Sequence, residues 1–69
     1  MNDIYYVRRD ESGKGICCNV DRLVTTISTP KKLDALKIAA ENAIVNSGCC
    51  YYVYRSNTEI AKFYVKEED

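Results

Sequence analysis

The sequence predicts a two-layer α+β domain: an antiparallel sheet with one helix packed on one face. Three observations predict it. Short runs rich in β-branched and aromatic residues flank a single longer segment with helical spacing. The runs on either side of that segment are broken by polar, turn-forming stretches, as hairpins are. The chain, at 69 residues, has room for one core, so residues 1–69 are read as a single domain. The order strand, strand, helix, strand, strand then leaves one helix to cover one sheet face.

The first strand is "DIYYVRR" (3–9). "DESGKG" (10–15) carries two glycines in a polar run and suits a hairpin loop. "ICCNV" (16–20) reads as the second strand. "LVTTIS" (23–28), rich in threonine and β-branched residues, favours strand over helix, either as a bent extension or as a short extra strand before the helix. The helix lies in "STPKKLDALKIAAENAIVNSG", with Thr29 expected as N-cap and Pro30 in the first helical position. Leu33, Leu36, Ala40, Ala43 and Ile44 recur at three- and four-residue steps and make the expected apolar stripe. Gly48 suits the left-handed position past a helix end. "CCYYVYR" (49–55) and "IAKFYVK" (60–66) are the last two strands. Between them "SNTE" is a turn in which Asn57 is the residue that tolerates positive φ. Residues 66–69, "KEED", are expected to be an acidic frayed tail.

The stretch "TPKKLDALKIAAENA" followed by "SGCCYYVY" resembles a family of small bacterial domains of unknown function. In that family a polar hairpin, a Thr-led Ala-rich helix, a glycine and a final hairpin follow in this order. The resemblance implies the strand-strand-helix-strand-strand layout and supplies no activity. The cysteine pairs are not part of its pattern.

Composition narrows the function classes. Hydrophobic residues at 46% and charged residues at 29% are those of a globular chain, not a disordered one. Ten basic residues balance ten acidic ones, so no long-range field draws the protein to nucleic acid or acidic membranes. No apolar run approaches the roughly 18 residues of a membrane span, and the N-terminus lacks the apolar stretch of a signal peptide. A cytoplasmic protein with reduced thiols and no membrane partner is the expectation.

Strand alternation sorts the side chains. Tyr5 and Val7, Ile16, Cys18 and Val20, Cys49, Tyr51 and Val53, and Ala61, Phe63 and Val65 are expected to face the helix. The opposite face would carry Tyr6, Tyr52, Tyr54 and Tyr64, ringed by Arg8, Lys62 and Lys66, with Cys17 and Cys50 between them and Ile60 on the same side. Tyrosine and arginine are favoured at interface centres. The expected partner-binding residues are therefore Tyr6, Arg8, Cys50, Tyr52, Tyr54, Lys62 and Tyr64.

The chain has no histidine, which removes the usual general base and the commonest metal ligand. "ESGKG" lacks the spacing of a phosphate-binding loop. The four cysteines come as adjacent pairs, Cys17 with Cys18 and Cys49 with Cys50. Adjacent strand residues point to opposite faces, so no four-thiolate zinc cage forms easily. A cross-strand disulfide requires neighbouring strands and an oxidising compartment. No catalytic residue, metal or cofactor is expected.

The function expected is a non-enzymatic protein-interaction module. It would use the tyrosine-rich sheet face or an open edge strand to bind another protein or itself, as a homodimer. A small bacterial or phage accessory or inhibitor protein fits that description. The alternative is single-stranded nucleic-acid binding through the same aromatic and basic face, against which the neutral net charge counts.

Overall fold

The fold is seen in a computed structural model that describes residues 3–10 and 23–66. Four strands and one helix follow in the order β1 (Tyr5–Asp10), β2 (Leu23–Thr29), α1 (Lys32–Val45), β3 (Cys50–Arg55) and β4 (Thr58–Tyr64). The strands form one antiparallel sheet in the order β2-β1-β3-β4. This is the expected strand-strand-helix-strand-strand layout. "LVTTIS" lies in a seven-residue strand, β2; whether it continues the expected strand at 16–20 falls outside the described residues. The expected strand at 16–20, with the inward places of Ile16, Cys18 and Val20 and the outward place of Cys17, lies outside the described residues.

The two central strands, β1 and β3, carry most of the buried side chains. Val7 pairs directly with Val53, and both are fully buried. With Ala35, Ala39, Ala43 and Tyr51 they form the core, against which Tyr5, Leu36, Ile38, Cys49, Ala61 and Phe63 pack. The expected inward face of β1, β3 and β4 is thus the face the helix covers. Each large apolar side chain fully buried there contributes roughly 1.5–3 kcal/mol.

Of the expected stripe, Ala43 is buried and Leu36 packs against the core, but the rest of the helix is turned toward an alanine line. Its buried residues are Ala35, Ala39 and Ala43, all on one line at four-residue steps. Leu33, at 77% exposed, and Ile44 stand in solvent, and Ala40 is only half-buried. The reason is volume. Tyr5, Tyr51 and Phe63 rise from the sheet toward the helix, and only a row of methyl groups lets the helix sit down on them.

The helix start also differs. Thr29 closes β2, Pro30 precedes the helix, and Lys31 takes the N-cap position without a side-chain cap. Thr29 still contributes, because its Oγ1 accepts a hydrogen bond from the Lys31 N–H at 3.2 Å. Past the helix end Gly48 has φ 91°, as a left-handed stop requires, and its N–H donates to the Val65 carbonyl at 2.8 Å. Val65, expected inward, is partly exposed beyond the end of β4. In the β3–β4 turn the positive φ belongs to Ser56 (55°), not to Asn57.

Both edge strands are bulged. Along β2, Val7 faces Ile27 and Arg8 faces Thr25, so Thr26 is the extra residue. Its hydroxyl donates to the Val7 carbonyl at 3.1 Å. Along β4, Val53 faces Ala61 and Tyr54 faces Glu59, so Ile60 is extra. That bulge corrects the expected outward place of Ile60, whose side chain packs against the core.

Candidate interaction surfaces

Two surfaces are candidates: the sheet face away from the helix, and the β2 edge, which no other described strand pairs. On the first, the register brings the expected residues together. Tyr6 pairs with Tyr54, Arg8 with Tyr52, Tyr52 with Lys62, and Cys50 with Tyr64. The Arg8 guanidinium lies between two rings, 4.5 Å from the Tyr54 centroid and 5.6 Å from that of Tyr6. The Lys62 ammonium is 5.9 Å from the Tyr52 centroid. These are cation–π distances, and the tyrosine faces are thus engaged within the sheet itself.

Burial corrects the expected exposure of this face. Cys50 is fully buried and Tyr52 is 2% exposed, so neither presents a surface to a partner. Tyr6, Arg8 and Tyr54 are half-buried; Lys62 and Tyr64 are exposed. The contiguous patch expected from alternation is therefore reduced to a rim. A ring as enclosed as that of Tyr52 is no platform for a stacked base.

Cys50 is disulfide-bonded, which corrects the expectation of thiols throughout. Its partner sulfur lies outside the described residues, as do Cys17 and Cys18, the remaining cysteines of the sequence. Cys49, on the helix side, is a free thiol packed against the core, where alternation puts it. Among the described residues no group of three or more Cys, Asp or Glu side chains could hold a metal ion, and no helix is long and apolar enough to cross a membrane.

The second surface comes from the topology. β2 is an edge strand of seven residues, Leu-Val-Thr-Thr-Ile-Ser-Thr, without a charge or a proline. Five of the seven are exposed. Val24 and Ile27, at 39% and 40% exposed, are paired with Arg9 and Val7 and so lie on the helix side of the sheet. They stay uncovered because α1 is seated over β1, β3 and β4 and touches β2 least.

Between β2 and α1 the sheet and helix therefore part into an open groove of about 440 Å³. Ile27, Ser28 and Thr29 line it from the strand; Asp34, Lys37, Ile38 and Glu41 line it from the helix. Ile27 and Ile38 are its apolar part, and the three charged side chains are its rim. Thr29 stood out in the sequence only as an expected N-cap and the others not at all, although Asp34, Lys37, Ile38 and Glu41 are spaced i, i+3, i+4, i+7 and hence share one helix face. That the strand beside them is an edge could not be read before the strand order was known. No protein-family model, curated protein or solved structure matches the chain.

Proposed function

We propose that the protein is a non-enzymatic protein-interaction module that binds its partner by accepting an added strand along β2. The observation that carries this reading is the character of that edge. Native sheets guard an exposed edge with charges, prolines, short strands or bulges, since its unpaired backbone groups invite another strand. β2 has seven residues, none of them charged, and among the described residues its only guard is the bulge at Thr26. Of the two routes the sequence offered, the edge strand is favoured over the tyrosine face, whose centre is enclosed at Cys50 and Tyr52.

The test blocks the edge. Val24→Lys and Ile27→Lys place charges at two exposed positions and should leave the circular dichroism spectrum unchanged. The double variant should lose the complexes that the wild-type protein forms in a nuclease-treated extract of its own cell, and any self-association seen in sedimentation. Complexes retained at the wild-type level by the folded variant reject the reading.

A further inference from the structure

Resting on the strand-addition reading, we infer that the occupant of β2 is an extended peptide segment of another protein, apolar at alternate positions and carrying a lysine or arginine. It pairs along the outer edge of β2 and turns alternate side chains toward the groove between β2 and α1. Strand addition supplies affinity through the backbone and specificity through pockets that take alternate side chains. This structure has both parts side by side. The edge is β2, and the pocket is the groove lined by Ile27 of the strand and Ile38 of the helix. A strand laid against Ile27–Thr29 would direct every second side chain to the helix side of the sheet, onto these two isoleucines.

The rim gives the charge. Asp34 and Glu41 bring two carboxylates and Lys37 one ammonium, so the helix wall is negative by one charge. A basic side chain in the peptide is attracted to that wall, and an acidic one is repelled by it. A second copy of the chain is the weaker candidate, for a geometric reason. In a two-fold pair through β2 each α1 stays seated over its own inner strands. With strands about 4.8 Å apart the two helices would then stand roughly 20 Å from each other. Packed helices approach to about 8–10 Å. Such a pair would join the two grooves and fill neither.

The test is selection from a phage-displayed library of short random peptides with the whole protein as bait. The selected peptides should alternate apolar and polar residues, be enriched in lysine or arginine and be depleted in acidic residues. A synthesised winner should shift the amide resonances of Ile27–Thr29 and of Asp34–Glu41. The double variant Asp34→Lys with Glu41→Lys, both exposed positions, should weaken that winner about tenfold, the effect of exchanging two attractive rim charges for repulsive ones. Winners weakened by Ile27→Lys but indifferent to the Asp34/Glu41 variant would overturn the groove while leaving strand addition at β2 intact. Winners indifferent to both would overturn the two together. No enriched pattern, with self-association that Ile27→Lys abolishes, would assign β2 to a second copy and overturn the peptide.

Discussion

Tyr51 and Tyr52 are consecutive residues of β3 that point to opposite faces of the sheet, and each is 2% exposed. The sheet is thus enclosed on both sides at this point, although its one helix covers only the Tyr51 side. Tyr51 is further fixed by the Asn46 side chain, whose Nδ2 donates to its hydroxyl at 3.0 Å. Both rings are buried in the fold.

Tyr51→Ala and Tyr52→Ala are therefore each expected to cost on the order of 3–5 kcal/mol, the range for buried aromatic truncation. Tyr51→Phe, which removes only the bond from Asn46, should cost about 1 kcal/mol. Urea unfolding of the three variants measures this. A Tyr52→Ala protein as stable as wild type would place that ring in solvent and return it to the binding face.

The alanine line of α1 gives a second expectation. Ala39→Asp buries an unpaired charge against the sheet and should unfold the domain. Leu33→Ser, one of the most exposed apolar positions, should change stability by less than about 0.5 kcal/mol. Thermal unfolding followed by circular dichroism decides it, and equal losses from the two would mean the helix is rotated toward its leucines.

The cysteines of the described residues should behave oppositely toward a maleimide. In native, unreduced protein Cys49 should be the one labelled, slowly because it is half-buried, and Cys50 should react only after reduction. Reduction, or Cys50→Ser, should lower stability by about 2–4 kcal/mol, the usual worth of a disulfide. Rapid labelling of Cys50 beforehand would dismiss the bond.

Arg8 is expected to matter through its rings, not through an ion pair. Arg8→Ala should cost roughly 0.5–2 kcal/mol by emptying the space between Tyr6 and Tyr54. If the cation–π attraction dominates, that loss should persist in high salt, which screens exposed charge pairs. A loss that disappears as salt is raised would point to an ordinary surface charge effect.

Gly48→Ala forces a Cβ into the left-handed region at φ 91° and should cost on the order of 1–3 kcal/mol. The same loss should accompany any other L-residue there, with Asn the mildest. Denaturant midpoints across Ala, Asn and Val at this position check the order.

The local alternation of β1, β3 and β4 was legible in the sequence because it depends on one pleated strand at a time. Tyr51 and Val53 inward, Tyr52 and Tyr54 outward, could be written down from "CCYYVYR" alone. Exposure could not. Tyr52 and Cys50 are on the side the sequence assigned them and are nonetheless enclosed. The helix stripe held at Leu36 and Ala43 and missed Ala35 and Ala39 for a related reason. Leucine and isoleucine outweigh alanine in any apolar stripe, but the aromatic rings opposite decide how close the helix must come. Those rings arrive from strands distant in sequence. The edge position of β2 depends likewise on β1 and β3 pairing first, and no feature of "LVTTIST" announces it. The bulge at Ile60 inverted one residue's face by inserting a single position that alternation does not anticipate.

The two outer strands differ in a way that limits how far assembly can run. β4 ends the sheet with Glu59 and Lys62 exposed along a bulged strand, whereas β2 ends it uncharged. A molecule with two receptive margins can polymerise, each unit handing an open margin to the next. One receptive margin opposite a charged one makes addition self-terminating. Were a strand to dock on β2 as proposed, the enlarged sheet would still end at its far side in the charged margin of β4. On the proposed strand addition, the chain would thus carry one adhesive border without becoming the seed of a fibre.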